Sequence, residues 1–343
     1  MRLARRRSLA ALFASIAIVA ASFGVAQALR YSRAPTRITV KATPIPAFDT
    51  RDETKTRFGQ LEYRGGLILT SNDQAFGGIS ALIMEPGGAR FLSLTDHGSW
   101  LRGRIVYREG RPDGIADAEM APMLGQDGKP LAARHWFDTE SLTQGVDGML
   151  YVGIERVEKI VRFDFRRDGF AAKGEPVPVP EDFKTFAFNK SLECLAAPPK
   201  GAPLSGSLIA ITERSLDASG NHRSFVLKGA QVNRFTLKRS DDFDVSDCAV
   251  FPPADLLVLE RRYSLLRGVA IRIRRIHLDE IKEGAVVDGP QLFFADLGYQ
   301  IDNMEGIGLH KNAQGETILT LVSDDNFSPI QRTLLLQFAL VGE

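Results

Sequence analysis

The chain is poor in the residues that metal and nucleophile chemistry most often draw on. It has five histidines, two cysteines and two tryptophans among 343 residues. His135, His222, His277 and His310 show no pairing at metal-ligand spacing, which argues against zinc. There is no Gly-x-Ser-x-Gly elbow, no glycine-rich phosphate loop opening a helix and no His-Glu-x-x-His pair, so the commonest hydrolase and nucleotide-binding signatures are absent. Net charge is only +1, which leaves no basic field for nucleic acid or for an anionic membrane surface. Beyond the N-terminus no segment carries a long 3.6-residue apolar period, which excludes a helical architecture.

What is present begins with an export signature. Arg2, Arg5, Arg6 and Arg7 precede an apolar run from Leu9 to Phe23, and Ala26-Gln27-Ala28 supplies a small-x-small cleavage site. The run is about fifteen residues, short for a membrane span. Residues 1–28 therefore read as a signal peptide of the Sec or twin-arginine type, with the mature chain starting near Leu29. The expectation is a periplasmic or secreted bacterial protein with no stable membrane span after cleavage. Residues 29–57 read as an N-terminal linker and 58–343 as one domain.

The domain is repetitive. Five segments share an acid, a small residue and an aliphatic: Thr139-Glu140-Ser141-Leu142, Leu192-Glu193-Cys194-Leu195, Ser246-Asp247-Cys248-Ala249, Met304-Glu305-Gly306-Ile307 and Phe76-Gly77-Gly78-Ile79, the last with Gly77 in place of the acid. They recur every 53 to 63 residues, roughly the length of a four-stranded propeller blade with its turns. Each is followed by a turn and a β-rich run ending in a carboxylate: Asp96, Glu155, Glu213, Glu260 or Asp324. The pattern predicts an all-β, single β-propeller of five or six four-stranded blades. Phe58–Thr70 either completes the last blade or belongs to a sixth.

If the small residue packs where inner strands crowd together, strand alternation sends the acid to the channel. Glu140, Glu193, Asp247 and Glu305 would then form an acidic ring suited to a hard cation such as Ca2+, with Asn189 and Asn303 nearby. The other reading is that each acid caps local amides or pairs with an arginine. Arg156, Arg214 and Arg261 follow three of the strand-end carboxylates and serve either inter-blade salt bridges or anion binding at the mouth. Asp96-His97-Gly98 ends a strand in the blade that lacks the motif acid, which makes Asp96 and His97 candidates for proton transfer. Cys194 and Cys248 fall in the same repeat slot. As equivalents in successive blades they would point the same way around the ring, which argues against a disulfide between them.

Several longer pieces carry a family resemblance: Gly77-Gly78-Ile79-Ser80, Leu94-Thr95-Asp96-His97-Gly98, Asp138-Thr139-Glu140-Ser141-Leu142, Asn189-Lys190-Ser191-Leu192-Glu193, Asp302-Asn303-Met304-Glu305-Gly306-Ile307 and Leu321-Val322-Ser323-Asp324-Asp325-Asn326-Phe327. In these the chain resembles the phytase-like family described by an esterase-like activity of phytase. The resemblance implies a secreted propeller that hydrolyses phosphate or carboxylate esters, with calcium-dependent propeller phytases as the mechanistic pattern. It brings no catalytic residue set, so the site residues above rest on the repeat.

Two functions follow as expectations. One is a metal-assisted hydrolase of a small-molecule ester or phosphoester. Glu140, Glu193, Asp247 and Glu305 would hold Ca2+, Arg156, Arg214 or Arg261 would stabilise negative charge, and His97 or Asp96 would move the proton. The other is a non-catalytic periplasmic propeller that binds a small ligand or an envelope partner. The protein is expected to be a monomer.

Overall fold

The computed structural model describes residues 34–264 and 268–342. The segment read as a signal peptide lies outside them. Among the described residues no helix is long and apolar enough to cross a membrane.

Five mainly antiparallel sheets stand as blades around one axis, two of them with a short parallel pair at the outer edge. Blade 1 runs outward from Ile79–Met84 through Arg90–Thr95 and Ser99–Arg108 to Arg111–Pro122. Blade 2 starts at Thr139–Gln144, blade 3 at Leu192–Ala196, blade 4 at Asp244–Phe251 and blade 5 at Asn303–Lys311. Blade 5 continues through Thr317–Asp324 and Thr333–Leu340, and then takes its next strand, Leu61–Ser71, from the start of the chain. The ring thus closes with five blades, and the early strand completes the last blade rather than founding a sixth. Closure removes the sheet edges that an open arc would leave.

Val40–Ile45 pairs with Leu61–Ser71 along its full length and forms the outer edge of blade 5. Part of the stretch read as a linker is therefore built into the propeller. It escaped the sequence reading because only its end residues, Val40 and Ile45, are buried, so it carries no apolar alternation.

The five hydrophobic clusters correspond to the five junctions between neighbouring blades. Trp100 and Leu94 of blade 1 pack with Val152 and Phe163 of blade 2, for example, and Leu257 and Ile273 of blade 4 pack with Leu319 and Leu334 of blade 5. Inner strands have a neighbouring blade on each face. This is why Thr317–Asp324 is buried throughout and reads as a nearly unbroken β-branched and aliphatic run.

The two cysteines are joined, with 5.2 Å between their Cα atoms. This overturns the expectation of no disulfide, and the reason is strand register. The innermost strand of each blade contains a β-bulge, after which the partners resume at Ala81, Ser141, Cys194, Asp247 and Gly306. Cys194 is therefore equivalent to Asp247, not to Cys248. Cys248 sits one residue further along, so the two side chains face each other across the junction of blades 3 and 4.

Candidate functional site

The bulge builds the axial site. An extra residue in one strand bends it and re-aims a side chain. The residues skipped by the pairing are Ser80, Glu140, Glu193, Ser246 and Glu305. The next residue in each blade turns to the following blade. Ser141 Oγ donates to the Leu192 carbonyl at 2.9 Å, and the backbone N–H of Ile307 donates to Asp247 Oδ2 at 2.8 Å. At Gly306 a Cβ would stand 2.5 Å from Val322 Cγ2 and 3.3 Å from the backbone of Ala81, so only glycine fits there without a shift.

Asp247 is accordingly not part of the ring. Its carboxylate also accepts from the Cys248 N–H at 2.7 Å and ties blade 4 to blade 5. Gly78 is likewise not the small residue of the blade 1 junction, which is Ala81. Gly77 and Gly78 have φ of 140° and 61°, and a Cβ on Gly78 would run into the Asp96 carboxylate and come within 2.7 Å of the Phe327 ring. They are glycines because Asp96 and the loop after blade 5's second strand close over them.

Counting along the second strands from the residues that face the bulge gives a second axial layer: Asp96, Glu155, Glu213, Arg261 and Asp324. Blade 4 is again displaced by one. Its Glu260 lies inside the blade, fully buried between Arg272 (2.7 Å) and Arg274 (2.7 Å), and Arg261 takes the axial place. Arg261 reaches Glu305 at 2.6 Å, Glu213 at 3.3 Å and the Asn303 side-chain oxygen. The three Glu-Arg pairs of the sequence are thus not equivalent. Arg156 and Arg214 match each other, and Arg262 is their counterpart in blade 4. Arg156 bonds Asp138 at 2.7 Å and lies over the Phe137 ring, while Arg214 bonds Asp244.

Crowding at the axis raises the pKa of six of these carboxyls. Burial, then Glu305, Glu155 and Asp96, hold Glu140 well above its ordinary value. Burial, then Glu140, Glu213 and Glu155, do the same to Glu193. Burial lifts Asp96 and Glu155 to about 7 each and Asp324 to about 9, helped by neighbouring carboxylates. Glu305 is also raised by burial, against the opposing pull of Arg261. Burial pushes the Arg261 guanidinium down, but Glu305, Glu193, Glu213 and Glu140 outweigh it and raise it. Charge of one sign is in excess here even with Arg261 and Lys190, which sits 2.6 Å from Glu213.

The densest donor set is Glu155, Glu193 and Glu213, each with a carboxylate oxygen within 4.8 Å of the others. All three are buried. Glu155 Oε1 accepts from the Ser191 N–H at 2.7 Å, and Glu213 is occupied by Lys190 and Arg261. Glu193 Oε2, by contrast, is buried with no hydrogen-bond partner, as are Asn189 Oδ1 and Asp96 Oδ1. An all-oxygen set with an unsatisfied carboxylate oxygen fits a hard cation such as Ca2+. The ring as drawn from the sequence thus loses Asp247, keeps Glu140, Glu193 and Glu305 at the axis, and gains Glu155 and Glu213.

Above this cluster a cleft of about 690 Å3 opens between blades 3, 4 and 5. Lys190, Arg214, Arg261 and Arg262 line it with Glu213, Asp244, Asn303 and Asn326. His97 stands at the blade 1 side of the mouth. Its ring is stacked on Phe327 with centroids 4.3 Å apart, and Nε2 lies 3.9 Å from Asp96.

A family model described as "Esterase-like activity of phytase" matches residues 74–327. The chain belongs to the Phytase-like family. The match spans the inner strands of all five blades and every axial residue named above. A search of curated proteins gives no match. Among solved structures the chain is similar to the PQQ-bound aldose sugar dehydrogenase of Streptomyces coelicolor, at 14% identity and TM-score 0.40, with 90% of this chain and 99% of that one covered. It is also similar to a luciferin-regenerating enzyme, at 8% identity and TM-score 0.41, with 88% and 96% covered. A third is the virginiamycin B lyase of Staphylococcus aureus, at 9% identity and TM-score 0.40, with 89% and 100% covered.

Proposed function

We propose that this Phytase-like protein hydrolyses an anionic small-molecule ester, a phosphoester or a carboxylic ester, at the axial mouth with the help of a Ca2+-type cation. The observation that carries the reading is the convergence of Glu155, Glu193 and Glu213, with Glu193 Oε2 left unpartnered, beside a cleft that Glu213 shares with Lys190 and three arginines. Those three residues would hold the metal. A bound divalent ion supplies charge to polarise an ester oxygen and to lower the pKa of water. The chain's own residues do the rest. Lys190, Arg214 and Arg261 would bind and orient the anionic group, where guanidinium forks suit phosphate or carboxylate. Asp96, largely buried and held near neutrality by burial, would carry the proton beside His97. The disulfide supports work in an oxidising compartment, the periplasm or outside the cell.

The test is metal analysis of the purified protein by mass spectrometry, with an ester and phosphoester panel run with and without EDTA. The expected result is a bound divalent ion and turnover lost to EDTA, with both defects reproduced in a folded Glu193→Gln. A metal-free protein with EDTA-resistant turnover would remove the cation from the reading. Ligand binding with no turnover on any panel member would make the protein a binding propeller instead.

A further inference from the structure

A second cleft lies between blades 1 and 2 and shares no lining residue with the axial cleft. Its volume is about 410 Å3, and five arginines line it: Arg37, Arg90, Arg102, Arg104 and Arg166. Only three carboxylates share the lining, Glu85, Asp117 and Glu119. Glu119 takes Arg102 at 2.6 Å and Arg37 at 3.4 Å, and Asp117 takes Arg104 at 2.9 Å. Among the described residues Arg90 and Arg166 form no ion pair.

The strand register makes the arrangement costly for an empty protein. Arg90 and Arg104 are directly opposite each other on adjacent antiparallel strands, so their side chains leave the same face. Arg102 is two positions along on that face, opposite Leu92. Like charges directly opposite on a sheet are destabilising. Arg166 comes from blade 2 and adds a further cation across the gap. The floor is apolar, formed by Leu92, Leu150 and Phe165, which lowers the local dielectric and strengthens any charge held above it.

We propose that this cleft binds a small soluble phosphate oligoanion, separately from the axial site. Guanidinium groups match phosphate oxygens two at a time, and several phosphates in one ligand would relieve the repulsion between Arg90 and Arg104. The volume is in the range of small-molecule pockets.

The probe is inorganic tripolyphosphate, titrated calorimetrically into the whole protein at about 0.15 M salt. A saturable site distinct from any binding in the axial cleft is expected. The double variant Arg90→Gln/Arg166→Gln should weaken it by about tenfold or more, while Arg214→Gln, in the axial cleft, should leave it unchanged. Without ligand, Arg90→Gln should melt at the same temperature as the parent or higher, because it removes a repulsion. It should also lose the shift in melting temperature that tripolyphosphate confers. Absence of saturable binding would overturn the proposal. So would binding that Arg214→Gln abolishes and the double variant does not, or a ligand-free Arg90→Gln that melts clearly lower, which would make Arg90 structural.

Discussion

In blade 4 Arg261 stands where blade 3 has Glu213, and its Nη2 lies 3.3 Å from the Glu213 carboxylate. The same guanidinium meets Glu305 at 2.6 Å. One cation set into an otherwise acidic layer lets Glu213, Glu305, Glu193 and Glu140 share a channel.

Arg261→Met should therefore destabilise the protein by about 3 kcal/mol at neutral pH, the scale for breaking a buried ion pair. Urea unfolding measures it. A loss below about 1 kcal/mol would mean that Lys190 or bound cations already suffice.

Asp247 and Glu193 share one motif but should answer differently. Asp247→Asn removes a carboxylate that bridges two blades through backbone N–H groups, so stability should fall by about 1–3 kcal/mol with divalent-ion binding intact. Glu193→Gln should weaken ion binding and leave the melting temperature close to the parent or above it, since a raised carboxyl has been replaced by a neutral group. Calcium titration with parallel thermal melts separates the two. Equal effects on ion binding would return Asp247 to the axis.

His222 is fully buried, neither ring nitrogen has a partner, and burial lowers its pKa from 6.5 to about 4. Between those values the unfolded chain binds a proton that the folded protein refuses. This contribution therefore falls as pH drops from about 6.5 towards 4, on the order of a few kcal/mol in total. The raised carboxyls Asp96, Glu155 and Asp324 contribute with the opposite slope, because their folded forms hold protons longer than the unfolded chain does. The difference in urea stability between the parent and His222→Leu, measured at several pH values, isolates the histidine. The parent should lose stability relative to His222→Leu as pH falls; a difference that does not change with pH would show that folding leaves the proton affinity of His222 unchanged.

The Cys194–Cys248 bridge closes a loop with a sequence separation of 54. Chain-entropy arguments set its stabilisation at about 4 kcal/mol. Reduction, or Cys194→Ser/Cys248→Ser, should lower the unfolding midpoint accordingly, and alkylation of the unreduced protein in denaturant should label neither cysteine. Labelling of both would show free thiols.

The repeat and its strand-end acids were legible because a propeller writes its blades as successive, similar hairpins. The register inside each blade was not. Ser246-Asp247-Cys248 and Glu260-Arg261 satisfy the repeat by residue type while sitting one position out of step, and a bulge leaves no mark on composition. One signal was available. Arg272 and Arg274 share a face of a strand that buries Ile271 and Ile273 on the other, and they demand a buried acid, which Glu260 supplies. Taking Glu260 into the blade would have moved Arg261 to the axis and separated the cysteines' slots.

The ring is fastened by its two ends. Leu61–Ser71 lies between Thr333–Leu340 and Val40–Ile45, so the sheet that seals the wheel joins two early strands to the last. A chain that stopped before Thr333 would hold Leu61–Ser71 with one side bare, offering its N–H and C=O groups to any other chain. Premature termination here should produce aggregates rather than a four-bladed remnant.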